Sequence, residues 1–124
     1  MTDITGFGLL GHLIEMAEGS GLSAELDFKK IPTILNDLVS YIEQKAVPGG
    51  TIRNWDSYGG KVGEVTEIQK AILADPQTSG GLLIAVGRDS IEEVKGVLQS
   101  VGLEKFIEPI GFLRKANEKM AYVI

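Results

Sequence analysis

The sequence has no cysteine among its 124 residues. This absence excludes a disulfide framework, a thiolate nucleophile and a cysteine-based metal site within these residues. It also lacks an excess of positive charge, since it has 12 Lys and Arg but 17 Asp and Glu, which gives a formal net charge of −5. With its basic residues scattered along the chain, the sequence shows no pattern typical of nucleic-acid binding or of a basic membrane-surface helix.

Long apolar runs are missing as well. No stretch approaches the roughly 20 apolar residues that a bilayer-spanning helix needs, and the N-terminus has no basic segment of the kind that opens a signal peptide. We therefore expect a soluble, cytoplasmic protein without a membrane partner. The length predicts one domain, 1–124, that buries its own core.

Residues 2–12 place a carboxylate, two hydroxyls and three glycines before an apolar run with helical spacing. The spacing predicts a helix to about Glu18, with Thr5 as its N-cap and Gly19 or Gly21 at its end. Glycines at a helix start admit a phosphate, and Asp3 just upstream is suited to a divalent cation shared with that anion. A packing or turn function is the more frequent explanation of such a glycine-rich start.

Hydrophobic periodicity and capping signals predict the remaining elements. They are a strand over 22–28, an amphipathic helix over 33–46, an irregular segment 47–63 that is functional or partly helical, and a helix from the capping box of Thr66 and Gln69 to Asp75. They continue with a strand over 82–86 buried on both faces, a helix opened by a second capping box at Ser90 with Ile91, Val94, Leu98 and Val101 inward, and a hairpin of strands 106–113 and 120–124. This pattern predicts an α+β fold with helices packed on a mixed β-sheet.

Two polar stretches are candidate binding segments. Arg53 and Asn54 are suited to an anion or to capping a neighbouring element, and a surface salt bridge is an equal alternative. Trp55 is expected to be a packing anchor. Thr78 and Ser79 offer hydroxyls beside two glycine N–H groups, although a tight turn is the better explanation of that loop.

Three motifs, residues 2–12 (TDITGFGLLGH), 47–54 (VPGGTIRN) and 75–83 (DPQTSGGLL), together resemble the C-terminal half of the selenophosphate synthetase family, the selenide, water dikinases. The resemblance covers nearly the whole chain. It extends to a superfamily that includes aminoimidazole ribonucleotide synthetase. It implies a layered α/β C-terminal domain that is partly ferredoxin-like.

In that family, selenide, ATP and water give selenophosphate, AMP and phosphate. The resemblance implies that Mg²⁺ and ATP are held mainly by an N-terminal ATP-binding domain, which pairs in a homodimer. It places the reactive cysteine or selenocysteine in that domain too. We therefore expect no catalytic residue in this chain and no activity from this domain alone.

The resemblance also assigns individual residues. Asp3 matches a magnesium ligand, while Thr5, Gly6 and Gly8 match the phosphate-facing end of the first helix. Further motif positions are expected to line the cleft between domains: His12, Arg53, Asn54, Thr78 and Ser79. A structural function is the preferred interpretation of His12.

Two alternatives remain at this stage. One is a binding or dimerisation module without catalytic function. The other is the equivalent domain of an ATP-dependent purine-biosynthesis synthetase.

Overall fold

The fold is a mixed three-stranded sheet and a two-stranded ribbon with helices packed against them, as seen in a computed structural model that describes residues 1–31, 49–75 and 81–124. This confirms the predicted α+β class. The regular elements of the described residues are β1 (Thr2–Asp3), α1 (Gly8–Ser20), β2 (Leu22–Leu26), α2 (Gly49–Tyr58), α3 (Glu67–Leu73), β3 (Leu82–Leu83), α4 (Ile91–Ser100), β4 (Gly111–Lys115) and β5 (Ala121–Val123). None of the described helices is long and apolar enough to cross a membrane.

Helix α1 supplies the centre of the core. Its buried apolar face carries Leu10, Leu13, Ile14 and Ala17 at the predicted helical spacing. The helix ends at Gly21, whose φ of 68° is a left-handed conformation that glycine adopts without strain.

The predicted N-cap of α1 is wrong. Phe7 occupies that position, and the helix begins at Gly8. The carbonyl of Thr5 accepts the N–H of Gly8 at 3.0 Å, which makes a turn before the helix. The side chain of Thr5 contacts His12 instead.

Strand β2 lies between β4, with which it is antiparallel, and β5, with which it is parallel. The predicted hairpin of the last two strands is therefore wrong, because β4 and β5 flank β2 and do not pair. The chain between them crosses the N-terminal end of β2. There the buried hydroxyl of Ser23 accepts the N–H of Asn117 at 2.8 Å and donates to the carbonyl of Lys119 at 2.7 Å. This pair of hydrogen bonds fastens the crossing.

The segment predicted as irregular, 47–63, contains helix α2. Of the two alternatives left open for it, partial helicity is confirmed. Its glycine pairs stand at the ends of the helix, where they do not interrupt it, and the pair Gly59 and Gly60 begins a 3₁₀ turn. Trp55 is half-buried against the core, as expected of a packing anchor.

The capping box before α3 is confirmed, since Thr66 and Gln69 exchange side-chain and backbone hydrogen bonds in both directions. The second predicted capping box is wrong. Helix α4 does begin at Ile91, but Ser90 makes no capping hydrogen bond to the described residues. Its backbone, at φ −107° and ψ 0°, continues a preceding 3₁₀ turn and lacks the extended geometry of an N-cap.

Several boundaries also differ from prediction. Strand β2 stops at Leu26 because Asp27 caps a 3₁₀ turn with its side chain, and β4 begins at Gly111, past Pro109. Val101 is 64% exposed and does not face inward. The predicted helix 33–46 lies outside the described residues.

The strand predicted over 82–86 is wrong in length and burial. Strand β3 has two residues, because its partner β1 has only two residues to pair with. Leu82 is 57% exposed and Ile84 is 44% exposed, so the ribbon is open on one face in the described chain.

Candidate functional site

The first and third motifs are joined through their backbones. Asp3 pairs with Leu82 across the β1–β3 ribbon, and the N–H of Ile4 donates to the carbonyl of Gly81 at 2.9 Å. The ribbon thus places the loop before α1 beside the segment that follows residues 76–80. Thr78 and Ser79 lie outside the described residues.

Gly8 packs the start of α1 against the end of α3. Its φ is 73°, and a Cβ at this position would lie 2.9 Å from both the carbonyl carbon of Ala74 and the carbonyl oxygen of Asp75. A side chain does not fit there, so the packing interpretation of this glycine agrees with the structure. Gly6 differs, because no described atom lies within 4 Å of where its Cβ would be.

Helix α2 brings the second motif to the other two. The amide of Asn54 donates to the carbonyls of Gly6 and Ala74, at 2.8 Å each. The buried hydroxyl of Thr51 donates to Oδ1 of Asp75 at 3.2 Å. Asn54 therefore caps the end of α3, one of the functions predicted for it, and also contacts the loop before α1.

Tyr58 lies one turn further along the same face of α2 and donates its hydroxyl to the carbonyl of Phe7 at 2.6 Å. The side chain is 8% exposed. Burial raises the pKa of Tyr58 from 10.0 to about 12, opposed in part by a backbone hydrogen bond of Gly11. The phenol therefore stays protonated, and remains a donor, across the physiological range.

His12 is buried, with 7% of its surface exposed. Its Nε2 lies 3.1 Å from both the backbone nitrogen and the hydroxyl of Thr5. Because the N–H of Thr5 donates, Nε2 is the accepting nitrogen, which assigns the ring proton of the neutral form to Nδ1. Nδ1 makes no hydrogen bond with the described residues and is 3.7 Å from the carboxylate of Glu15. His12 thus holds the backbone of Thr5 through one ring nitrogen, and its structural function stays a prediction.

The exposed residues at this edge are Asp3, Thr5 and Phe7, together with the open backbone at Gly6. Arg53 is exposed on α2, next to Asn54 in the chain. Within the described residues no three His, Cys, Asp or Glu side chains gather as a metal site. Mg²⁺ sites that bind a nucleotide use one or two carboxylates with substrate phosphates and water, so the described residues do not form a metal site by themselves.

Sequence reasoning missed Thr51 and Tyr58 as parts of this site. A signal was present, because positions 51, 54 and 58 are spaced by three and four and share one face of a helix. The glycine pairs around the segment concealed that spacing by favouring a loop.

The chain is similar to a known protein family and to several curated proteins. The family model described as AIR synthase related protein, C-terminal domain, matches residues 1–123. The selenide, water dikinase of Aeromonas salmonicida is 53% identical over 114 residues, covering 92% of this chain and 32% of that protein. That of Haemophilus influenzae strain Rd is 55% identical, covering 95% of this chain and 33% of that protein. That of Pseudomonas putida is 48% identical, covering 100% of this chain and 35% of that protein.

The chain thus spans about a third of the length of the curated relatives it matches. The family match covers all but the last residue. The chain therefore belongs to the AIR synthase related protein family, as its C-terminal domain.

Proposed function

We propose that this chain is the C-terminal domain of a selenide, water dikinase, an enzyme that converts selenide, ATP and water into selenophosphate, AMP and phosphate. The observation that carries the proposal is the meeting of the described parts of all three motifs at one edge, where Asp3 and Gly6 face solvent. The names and the 48–55% identity of the relatives support the same activity.

In this proposal Asp3 is a ligand of Mg²⁺, which supplies charge neutralisation during phosphoryl transfer. The exposed backbone at Thr5 and Gly6 faces the phosphates, and Arg53 adds a positive charge next to them. Gly8 packs α1 against α3 and so fixes where the helix begins. His12 and Asn54 act from behind this surface through hydrogen bonds to its backbone.

The other functions that the reaction requires are assigned to regions of the protein outside this domain. The chain carries no thiol, so we assign the group that reacts with selenide, and most of the ATP contacts, to an N-terminal ATP-binding domain. We further propose a cytoplasmic homodimer. This domain by itself is expected to be inactive.

The test is selenide-dependent formation of AMP from ATP and Mg²⁺, measured on the whole protein that contains this domain and on residues 1–124 alone. Phosphorus NMR identifies selenophosphate directly. We expect product only from the whole protein and only with selenide. ATP-dependent ring closure of formylglycinamidine ribonucleotide without selenide would instead establish the purine-biosynthetic alternative.

Absence of both activities in a folded whole protein would contradict the proposal. It would leave the non-catalytic binding or dimerisation module as the better description.

A further inference from the structure

Three consecutive residues before α1, Thr5, Gly6 and Phe7 (the 5–7 loop), are each held by a different side chain through a backbone atom. His12 accepts the N–H of Thr5 at 3.1 Å, Asn54 donates to the carbonyl of Gly6 at 2.8 Å, and Tyr58 donates to the carbonyl of Phe7 at 2.6 Å. No regular strand or helix orders this loop. Besides the turn hydrogen bond from Gly8 to Thr5, three side-chain contacts from two helices hold its backbone.

The two contacts from α2 are also tied to the end of α3. Asn54 uses its second N–H for the carbonyl of Ala74, and Thr51 on the same face reaches Asp75. A single helix face thereby fixes the 5–7 loop relative to the residues that precede 76–80. Gly11 permits this approach, since a Cβ there would lie 3.1 Å from the ring of Tyr58.

These contacts separate positioning residues from ligand-facing ones. His12 and Tyr58 are buried, and the amide of Asn54 is committed to two carbonyls. The other side of the loop is open, because Thr5 and Gly6 are exposed and no described atom occupies the space beside Gly6. Each clamping side chain contacts a backbone atom, and His12 also contacts the hydroxyl of Thr5.

We infer that His12, Asn54 and Tyr58 form a clamp that positions the 5–7 loop for phosphoryl transfer without touching the substrate. The inference rests on the proposed function for the reaction it serves. The existence of the clamp does not depend on that reaction, because it concerns only how the loop is ordered. Preorganised groups lower a barrier because they need no reorganisation during the reaction.

The test uses Tyr58→Phe and Asn54→Asp in the whole protein, with Ser57→Ala as the matched control. Tyr58→Phe removes only the hydroxyl, and Asn54→Asp keeps the shape while removing both donors. Ser57 also lies on α2, but it is exposed and its hydroxyl bonds only within its own helix, to the carbonyl of Arg53. Amide hydrogen exchange of residues 4–8 is compared with that of β2, and kcat and KM for ATP are measured in parallel.

We expect Tyr58→Phe to exchange about tenfold faster at residues 4–8, since its hydroxyl is buried and loss of such a hydrogen-bond partner is worth about that factor. Asn54→Asp is expected to change exchange in the same direction by a smaller factor, because its bond to Gly6 is exposed. Exchange in β2 is expected to stay unchanged. The value of kcat falls by a similar factor while KM for ATP changes less than about twofold, because alignment is lost and nucleotide binding is kept. Ser57→Ala matches the wild type in every readout.

Unchanged exchange at residues 4–8 in both variants would overturn the clamp. A looser loop with unchanged kcat would overturn its positioning function, and parallel loss of protection in β2 would indicate general destabilisation instead. If the wild-type protein makes no selenide-dependent AMP, the proposed function fails, while the exchange comparison still decides whether the clamp exists.

Discussion

The hydroxyl of Tyr58 lies 2.6 Å from the carbonyl oxygen of Phe7, a residue 51 positions earlier in the chain. The contact joins the last turn of α2 to the residue at the N-cap of α1. Tyr58 is buried, so the bond matters chiefly because leaving its hydroxyl unpaired would be costly. It makes Tyr58 a probe of the way α2 packs against the first motif.

The stability of the fold should depend on pH through Tyr58. Below pH 10.0 the phenol is protonated in both folded and unfolded chains, so its favourable contribution is fully present. Between pH 10.0 and about 12 the unfolded chain loses this proton while the folded chain keeps it, so the free energy of unfolding falls as pH rises.

In Tyr58→Phe, the part of this fall in the free energy of unfolding that comes from Tyr58 should be absent. Urea unfolding of both proteins across this pH interval measures it, with Tyr122→Phe as a control that leaves Tyr58 in place. Identical pH slopes for wild type and Tyr58→Phe would contradict the assignment.

Gly8→Ala should destabilise the protein by about 1–3 kcal/mol, because the new methyl group meets the backbone of Ala74 and Asp75 and the φ of 73° is unfavourable for alanine. Gly19→Ala is the matched control in the same helix, where no described atom lies within 4 Å of the new methyl group. That variant should be neutral or gain up to about 1 kcal/mol. Thermal melts of both variants compare the two, and equal midpoints would show that the packing of α1 on α3 is looser than described.

Ser23→Ala should cost about 1–3 kcal/mol of stability, because the N–H of Asn117 and the carbonyl of Lys119 both lose a buried partner. The expected local effect is faster amide exchange at residues 117–121. Ser100→Ala is the control, since that hydroxyl is exposed and bonds only to Val97 in its own helix. A change below about 0.5 kcal/mol in Ser23→Ala, the range of ordinary surface substitutions, would mean that the crossing is held by the sheet alone.

Asp3→Asn in the whole protein should raise the Mg²⁺ concentration needed for half-maximal turnover by on the order of tenfold or more, as expected when a metal ligand loses its charge. Thermal stability should change little, because Asp3 is exposed. Asp89→Asn serves as the control, being an exposed carboxylate in the turn before α4. A magnesium titration of turnover indistinguishable from wild type would remove Asp3 from the proposed metal site.

Much of the local structure followed from local signals. The extent of α1, the capping box of Thr66 and Gln69, and the end of α1 near Gly21 depend on contacts within a few residues, and the sequence displays them directly. Two local predictions failed, the N-cap at Thr5 and the capping box at Ser90. The strand predictions failed where pairing decided the outcome. The strand at 82–86 is short because β1 is short, and the predicted hairpin is absent because β2 lies between its two strands.

For the candidate site, too, some features follow from the sequence and others only from the tertiary structure. The sequence by itself determined the α+β class and the three motifs whose resemblance indicated the family, since these depend on periodicity and on residue identity. Only the tertiary structure decided that Asn54 and Tyr58 hold the backbone of residues 5–7 and that Gly8 packs against Ala74. The physical reason is that these contacts join groups about 50 or more positions apart, and hydrogen-bond partners at that separation are chosen by how helices and strands pack together.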